Sequence, residues 1–224
     1  MSTQTTPRAL VAVGAGRYAD PWHPFARTGA AVGDILRADG FDVAVVPDVD
    51  RALAALDGVD LLVIAAGDPW GEGERIAPPA ASTDGLAAAL DRGIGVLALH
   101  SAVASLRDHP EWAPAVGAIW LPGTSFHPAA GITAIRMEPG WGDDFDVQDE
   151  RYCRLQPIGR STPVAWHEGD EAGTGPEPAA WVRTHGAARI AVDVLGHDER
   201  SYESEGHRAL VRRLARWTVE RGAS

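Results

Sequence analysis

The sequence predicts an α/β fold, in which a mostly parallel sheet is flanked by helices and followed by a β-rich C-terminal extension. The apolar run at residues 94–99 has no polar alternation, which is typical of a strand covered on both faces. Such runs alternate with helical patterns through the first half of the chain, as they do in a doubly wound sheet with right-handed crossovers. Shorter strands separated by turn residues dominate the second half.

The first half is predicted to contain four buried strands, at residues 9–16, 41–46, 60–67 and 94–99. Helices are expected between them, at residues 24–39, 49–56 and 83–92. Asp48 or Asp50 is expected to cap the second of these helices, and Ser82 or Thr83 the third. The carboxyl ends of the strands should then meet at one edge of the sheet, where open α/β sheets bind their ligands.

The second half is predicted to contain strands at residues 131–137, 163–167, 180–184 and 189–195. Helices are expected at residues 102–106, 110–116 and 205–221. Ser101 suits the cap of the first of these helices. The acidic segment at residues 145–152 is predicted to be a loop or the start of a helix. Gly186 predicts a hairpin between the last two strands.

The composition argues against several classes of partner and cofactor. There are 31 acidic residues against 20 basic ones, and the net charge of −11 disfavours nucleic acids and anionic membranes as partners. The sequence has no lysine, which excludes a Schiff-base lysine and the lysine of a phosphate-binding P-loop. No nucleotide cofactor is therefore expected.

A single domain of residues 1–224, flexible at residues 1–8, is expected because neither a repeat nor a linker interrupts the pattern. The first residues are polar and lack the apolar stretch of a secretion signal. The longest apolar runs have the length of strands, too short to cross a membrane. Cys153 is the single cysteine, which suits a reducing compartment, so we expect a cytoplasmic protein.

Side chains capable of chemistry follow several of the predicted strands. Four of the eight histidines fall where strands end, and an acidic pair joins them: His23, His100, His127, His197, Asp149 and Glu150. Each of these residues alone is readily explained by a local hydrogen bond. Because strand ends share one edge of a parallel sheet, however, we expect the group to converge into one polar site.

The same segments resemble the trehalose-utilisation (ThuA-like) family. The matching motifs are Leu99-His100-Ser101-Ala102, Ser125-Phe126-His127-Pro128, Asp149-Glu150-Arg151-Tyr152, Pro163-Val164-Ala165-Trp166 and Gly196-His197-Asp198. His23 matches the histidine of the family's first loop. The resemblance implies the fold of the class I glutamine amidotransferase-like superfamily, with a flavodoxin-like sheet, and a role in carbohydrate metabolism.

The chain departs from the amidotransferases of that superfamily at the nucleophile. Those enzymes carry a cysteine at the turn after the central strand, where this chain has His100, and Cys153 lies in a different segment. Glutaminase chemistry by thiolate attack is therefore not expected. The sequence His197-Asp198-Glu199 still resembles the late His-x-Glu pair of the amidotransferase triad.

One hypothesis for the site is a serine hydrolase. In this scheme Ser101 is the nucleophile, His197 its base and Glu199 the carboxylate that orients the histidine. The turn at residue 101 lacks the G-x-S-x-G pattern of a nucleophile elbow, which speaks against the scheme.

A second hypothesis gives His100, His127 and His197 the role of metal ligands or proton carriers, with Ser101 beside them. Either Asp149 or Glu150 supplies the carboxylate, because one residue of register decides which of the two faces the site. Imidazole and carboxylate ligands suit zinc, and also iron, nickel or manganese. A metal could polarise a sugar carbonyl during isomerisation or elimination, and hydrolysis is a further option. The third hypothesis is a non-catalytic scaffold or small-molecule binding protein.

The expected ligand is a small-molecule carbohydrate, because aromatic faces near the predicted loops suit sugar rings. The candidate substrate-binding residues are Trp22, His23, Trp70, Asp149, Trp166 and Asp198. Trp120 also lies near a loop, although core packing would explain most tryptophans as well. Trp217 fits either a dimer interface or the core, so a homo-oligomer stays open.

Overall fold

The computed structural model describes residues 6–71, 75–169 and 175–220. Residues 1–5, which make up most of the segment 1–8 that we expect to be flexible, lie outside the described residues. The helices in these ranges are α1 Phe25–Ala38, α2 Val49–Leu53, α3 Ala80–Asp91, α4 Trp112–Val116 and α5 Glu205–Val219. The strands are β1 Arg8–Val13, β2 Asp42–Val46, β3 Leu61–Ala65, β4 Gly95–Leu99, β5 Ala118–Ile119, β6 Gly131–Met137, β7 Phe145–Asp149, β8 Gln156–Pro157, β9 Thr162–His167, β10 Glu177–His185 and β11 Ala188–Asp193. Short 3₁₀ turns cover Gly16–Tyr18, His100–Val103 and Glu199–Glu203.

Nine of these strands form one mixed sheet, which confirms the predicted fold class. Their order is β2-β1-β3-β4-β11-β10-β9-β6-β7. The first five strands in this order are parallel, and their arrangement is flavodoxin-like. From β11 onward each strand runs antiparallel to its neighbour, so the C-terminal extension continues the same sheet. β5 and β8 form a separate antiparallel pair.

Both faces of the parallel strands are buried, which explains their unbroken apolar runs. Leu10 of β1 belongs to a core cluster with Leu53 of α2, on the face that α3 and α4 also cover. The next residue, Val11, belongs to a second cluster with Ile35 of α1 and Leu214 of α5. Successive strand residues therefore meet different helix layers.

One helix begins earlier than the sequence predicts. Asp48 caps α2 as expected, because its carboxylate accepts a backbone N–H of the first turn. α3, in contrast, begins at Ala80 directly after Pro79, and no side chain caps it. Ser82 lies inside this helix, and its buried hydroxyl donates a 3.1 Å hydrogen bond to the Asp50 carboxylate.

The predicted helix at residues 102–106, capped by Ser101, is wrong. The chain makes only the short turn His100–Val103 after β4. The Ala102 carbonyl accepts the backbone N–H of Ser105 at 3.2 Å, in a turn, and the indole N–H of Trp112 at 2.9 Å. Leu106 has a left-handed φ of 48°, which a helix does not allow.

The prediction of a loop or helix start at residues 145–152 is wrong for residues 145–149, which form β7 and pair with β6, whereas residues 150–152 form a loop. Val147 faces the core while Asp146 faces outward. Cross-strand pairing decides the conformation here, and the acidic composition of the segment does not reveal it.

The hairpin predicted at Gly186 is present and joins β10 to β11, with Gly186 at a φ of 57°. β11 thereby lies beside β4, and the residues after Asp193 reach the carboxyl edge of the sheet next to His100. Among the helices that the structure describes, none has the length and apolar character needed to cross a membrane.

Candidate functional site

The carboxyl edge of the parallel strands carries a compact group of ionisable side chains. His100 follows β4, and His197 follows its parallel neighbour β11. His23 comes from the loop between β1 and α1, and Glu150 directly follows β7. One nitrogen or oxygen atom from each of these four residues lies within 4.8 Å of the others. We call this group the histidine cluster.

Backbone and hydrogen bonds together fix the orientation of His100. Its left-handed φ of 45° is unusual for a non-glycine residue, and such strain recurs at functional sites. Its Nδ1–H donates to the Val194 carbonyl at 2.8 Å. In the neutral ring Nε2 therefore carries the lone pair, which accepts a 2.9 Å hydrogen bond from the Tyr152 hydroxyl.

Asp20 orients the second histidine, His23. The two Asp20 carboxylate oxygens lie 2.8 and 2.7 Å from His23 Nδ1, so Nδ1 holds the proton. Burial raises the pKa of Asp20, but its hydrogen bonds with His23 lower it more, and the carboxylate stays ionised. Nε2 of His23 is buried and has no hydrogen-bond partner among the described residues. A carboxylate behind an imidazole is common where histidines bind metals.

Glu150 is buried among three imidazoles. Its Oε2 lies 3.5 Å from His100 Nε2 and 3.3 Å from His197 Nδ1, and its Oε1 lies 3.4 Å from His127 Nδ1. Burial raises the pKa of Glu150, but the hydrogen bond and charge of His100, with the other two histidines, lower it more. Glu150 is therefore an ionised carboxylate at neutral pH.

Buried His100 and half-buried His197, which both lie beside Glu150, have opposite pKa shifts. Burial lowers the pKa of His100, yet Glu150 and Asp149 raise it more, so the net shift is upward. Burial lowers the pKa of His197, and His100 lowers it further, so the net shift is downward despite Glu150. Nδ1 of His197 is a second buried ring nitrogen without a hydrogen-bond partner in the described part of the chain.

The histidine cluster fits a metal ion by the chemistry of its donors. Its three imidazole rings pack edge to face, with centroids 4.9 to 5.4 Å apart. Three imidazoles and a carboxylate suit zinc, iron, nickel or manganese. A buried nitrogen without a partner is costly, and coordination to a cation would satisfy both such nitrogens in the cluster.

His127 lies at the rim of the cluster. Its side chain is 39 % exposed, and its Nδ1–H donates to the Pro128 carbonyl at 3.0 Å. The ring faces Trp120 at 5.9 Å and Tyr152 at 6.0 Å between centroids. Of the three histidines predicted as metal ligands, His127 is the one outside the four-residue group, and His23 takes its place there.

Asp149 is buried and faces the protein interior. Its carboxylate accepts the backbone N–H groups of Glu150 at 2.8 Å, Gly196 at 2.6 Å and His197 at 3.2 Å, together with the hydroxyl of Ser201. These four hydrogen bonds use the acceptor positions of the Asp149 carboxylate. Asp149 therefore joins the end of β7 to the loop after β11, and it positions Glu150 and His197.

The residues proposed for a serine hydrolase do not form a triad in the structure. The buried Ser101 hydroxyl donates to the Ala66 carbonyl at 3.0 Å. Glu199 pairs with Arg27 at 2.6 Å. His197 therefore has neither of the partners that the triad requires.

The predicted sugar-binding aromatic residues do not share one surface. Trp22, next to His23, is 64 % exposed. Trp70 is half-buried in the loop after β3, whereas Trp166 on β9 lines a different cavity and donates its indole N–H to Glu138 at 2.7 Å. Asp198 caps the 3₁₀ turn Glu199–Glu203 and pairs with the guanidinium two residues later.

Two residues of the site were not predicted as such from the sequence. Asp20 lies three positions before His23, and an acidic residue at that spacing was the available signal. Tyr152 lies two positions after Glu150, within a motif already noted, and its ring packs against His100 at 4.4 Å between centroids. Each is hydrogen-bonded to a histidine of the cluster, and a sequence pattern alone does not reveal such a contact.

Comparisons with known proteins agree with this architecture. Residues 8–218 match the family model described as ThuA, trehalose utilisation. A ThuA-like protein from Parabacteroides merdae superposes with a TM-score of 0.75 at 18 % identity, over 96 % of this chain and 90 % of that one. A ThuA-like protein from Bacteroides uniformis gives 0.72 at 14 % identity, over 98 % and 94 % of the two chains.

A more distant structural match is part of a larger enzyme. The β-galactosidase from Rahnella sp. R3 superposes with a TM-score of 0.64 at 14 % identity, over 94 % of this chain but 31 % of that one. At these identities the matches establish a shared fold. No curated protein sequence matches the chain.

Proposed function

Because the chain belongs to the ThuA family, which is described as trehalose utilisation, we propose that it is a metal-dependent enzyme of sugar metabolism. The proposed reaction moves a proton on the carbon next to the carbonyl of a keto-sugar, which leads to isomerisation or elimination. The proposed substrate is a small carbohydrate, and the proposed location of the protein is the cytoplasm.

One observation carries this proposal: His23, His100, Glu150 and His197 place their ligand atoms within 4.8 Å of one another. Two of the imidazole nitrogens there are buried without a hydrogen-bond partner among the described residues. A bound divalent metal would polarise the sugar carbonyl and so stabilise the enolate that forms when the neighbouring proton leaves.

His127 is the proposed proton carrier. Its Nδ1–H is held by the Pro128 carbonyl, so the neutral ring presents a lone pair on Nε2. The base removes a proton from the carbon beside the carbonyl, and the electron pair of the broken C–H bond moves onto the carbonyl oxygen. To give an isomer, the proton returns to the former carbonyl carbon, while the hydroxyl group on the deprotonated carbon passes its own proton to the former carbonyl oxygen and becomes the new carbonyl. To give an elimination product, the carbonyl re-forms and the electron pair expels a leaving group from the next carbon, with a carbon–carbon double bond in its place.

Tyr152 is the proposed hydrogen-bond donor to the substrate oxygen. Burial raises the pKa of Tyr152 well above 10, and the charges of Glu150 and Asp149 raise it further, so the phenol keeps its proton. Its hydroxyl lies 2.9 Å from His100 Nε2, at the edge of the cluster. The Trp120 ring, 4.7 Å from Tyr152 between centroids, offers an aromatic wall on the same side.

The test combines metal content with proton exchange. Protein purified without a tag is analysed by inductively coupled plasma mass spectrometry, beside the variants His23→Ala and His100→Ala. His185→Ala, at the end of β10, is the matched control outside the cluster. We expect stoichiometric zinc, iron, nickel or manganese in the wild type and the control, and loss of the metal in both cluster variants.

The same proteins are then incubated with a panel of keto-sugars in D₂O. We expect the wild type and His185→Ala to catalyse exchange of the C–H beside the carbonyl, seen by proton NMR, and His127→Ala to lose it while it retains its metal. Protein that binds no metal and catalyses no exchange would overturn the proposal and leave a binding protein.

The hydrogen bond from Tyr152 to His100 favours one alternative, in which the two residues transfer protons without a metal. Exchange that persists in metal-free protein and disappears in Tyr152→Phe would identify this mechanism.

A further inference from the structure

The loop that follows β11, which we call the His197 loop (residues 194–197), is held by two buried carboxylates. Three successive backbone N–H groups donate to them: Leu195 to Asp193 at 3.1 Å, Gly196 to Asp149 at 2.6 Å and His197 to Asp149 at 3.2 Å. The loop has no regular secondary structure, so these side chains take the place of a backbone ladder and fix its path.

The His197 loop positions two of the four residues in the histidine cluster. His197 belongs to it, and the carbonyl of Val194 accepts the Nδ1–H of His100 at 2.8 Å. A third member of the cluster, Glu150, donates its backbone N–H to Asp149 at 2.8 Å. The carboxylates that hold the loop therefore determine where three of the four proposed metal ligands lie.

One imidazole ring, that of His207 on α5, joins these two carboxylates. Its Nε2 lies 3.0 Å from Asp193, and its Nδ1 lies 2.8 Å from the Ser201 hydroxyl oxygen. The Ser201 hydroxyl in turn donates to Asp149, since an ionised carboxylate can only accept. All four side chains are buried. They form a continuous hydrogen-bonded chain from the end of β11 to the end of β7.

Tyr202 gives His207 a second contact with the loop. The two rings stack, with centroids 4.9 Å apart and an interplanar angle of 18°. The Tyr202 hydroxyl packs so closely against Gly196 that a Cβ at this position would collide with it. The position of the loop therefore depends on the His207 ring through packing as well as through hydrogen bonds.

We propose that His207 is a positioning residue for the histidine cluster. Within the described ranges it makes no hydrogen bond or ring contact with the four proposed metal ligands, and it acts on them by joining Asp193 to Asp149. Without this connection the ligand atoms are present but no longer fixed around one metal ion, which weakens binding. The inference rests on the proposed function, because its first readout is metal affinity.

The test compares Ser201→Ala with Ser204→Ala, two serines that precede α5. Ser204 caps α5 and donates to the Asp146 carbonyl at 2.7 Å, so its loss weakens the same helix without breaking the chain to Asp149. Zinc affinity is measured by competition with a chromogenic chelator. We expect Ser201→Ala to weaken zinc binding about tenfold, whereas Ser204→Ala should bind zinc as the wild type does.

A second readout needs no metal. Amide hydrogen exchange in the metal-free proteins, followed by NMR, reports how firmly the His197 loop is held. In Ser201→Ala the amides of Gly196 and His197 should exchange about tenfold faster, because Asp149 loses one of its hydrogen bonds. In Ser204→Ala these two amides should keep their wild-type rates, while the amide of Leu97 in β4, which exchanges on global unfolding, should accelerate. A purely structural role for Ser201 predicts this second pattern in both variants.

His207→Gln is the second variant if Ser201→Ala fails to fold. A glutamine amide presents a donor on one side and an acceptor on the other, so it cannot donate to both Asp193 and Ser201, and we expect the same two effects. Wild-type exchange of the Gly196 and His197 amides in these variants would overturn the proposal, and so would wild-type zinc affinity. If the wild-type protein binds no metal, the proposed function fails and the exchange rates decide this inference.

Discussion

Asp20 shows how a single residue outside the ligand group controls a ligand. It accepts the Nδ1–H of His23 and leaves Nε2 facing the histidine cluster. We expect Asp20→Asn to weaken metal binding by about 10- to 100-fold, the usual effect of removing such a carboxylate. The measurement is competition for zinc with a chromogenic chelator. Asp198→Asn is the control, since Asp198 pairs with Arg200 on the surface, and equal loss in both variants would contradict a specific role for Asp20.

Ser101 has a structural contact in place of a catalytic one. Its hydroxyl donates to the buried Ala66 carbonyl, so Ser101→Ala should cost about 1–3 kcal/mol of unfolding free energy by leaving that carbonyl unpaired. Keto-sugar exchange per folded molecule should be unchanged, and a fluorophosphonate probe should not label the wild type. Labelling that disappears in Ser101→Ala would restore the serine-hydrolase hypothesis.

The place of a residue in the site could be predicted where it depends only on the strand that the residue follows. His100 and His197 follow buried strands, and that placement brings them to the shared edge. The choice between Asp149 and Glu150 was not predictable, because alternate residues of a strand point to opposite faces. Pairing with β6 sets that register, and it turns Asp149 inward and Glu150 toward the histidines.

At the scale of elements, α5 is joined to β11 by a buried ion pair. His207 of α5 donates its Nε2–H to Asp193 at the end of β11, at 3.0 Å. Its Nδ1 lies 2.8 Å from the Ser201 hydroxyl oxygen, whose own proton goes to Asp149. Both ring nitrogens therefore act as donors, which makes His207 an imidazolium in the folded protein.

This pair predicts a specific dependence of stability on pH. Burial lowers the pKa of His207, but Asp193, Asp149 and the Ser201 carbonyl raise it more, so it lies above the ordinary value of 6.5. The neighbouring Tyr202 ring stays neutral, because burial raises its pKa well above 10. The stabilisation is complete below pH 6.5 and is lost as the pH rises through the folded-state pKa.

The measurement is urea unfolding of the wild type and His207→Gln across that range. At pH 6 the variant should be less stable by about 3 kcal/mol, since it leaves a buried carboxylate without its cation. The difference should shrink as the pH rises. A difference that is constant with pH would mean that His207 is neutral in the folded protein.

Elements were predictable where one local signal dominates. The β10–β11 hairpin follows from Gly186, and the start of α2 follows from Asp48. The sequence suggested a cap at Ser101 for the helix that does not form, but the chain turns at Leu106 with a left-handed φ of 48°, and the Trp112 indole donates to the Ala102 carbonyl. The strand β7 depends on its partner β6, which is a tertiary contact that propensity does not encode.

At the scale of the whole molecule, the proposed metal would connect four distant parts of the chain. His23, His100, Glu150 and His197 belong to the segments after β1, β4, β7 and β11. A ligand that binds only the folded state stabilises it, by about 2.7 kcal/mol at a free concentration of one hundred times its Kd. We therefore expect zinc to raise the melting temperature of the wild type and of Glu168→Gln, but not of Glu150→Gln, in a differential scanning fluorimetry series.

The overall architecture was the most predictable level. Continuous apolar strands require helices on both faces, and the alternation of strands and helices then leaves few topologies. The sequence did not predict that β11 inserts beside β4, or that β10, β9, β6 and β7 continue the same sheet. Those pairings join segments far apart in the chain, for which periodicity contains no information.

The insertion of β11 beside β4 also has a consequence for biosynthesis. The hydrogen bond from His100 to Val194 spans 94 positions, so the nascent chain must be almost fully made before the central strand finds its second neighbour. Until then β4 is an open edge, able to pair with strands of other molecules. High contact order of this kind slows folding. The step that protects the chain from aggregation is thus the same step that assembles the histidines, and misfolded copies should lack the site altogether.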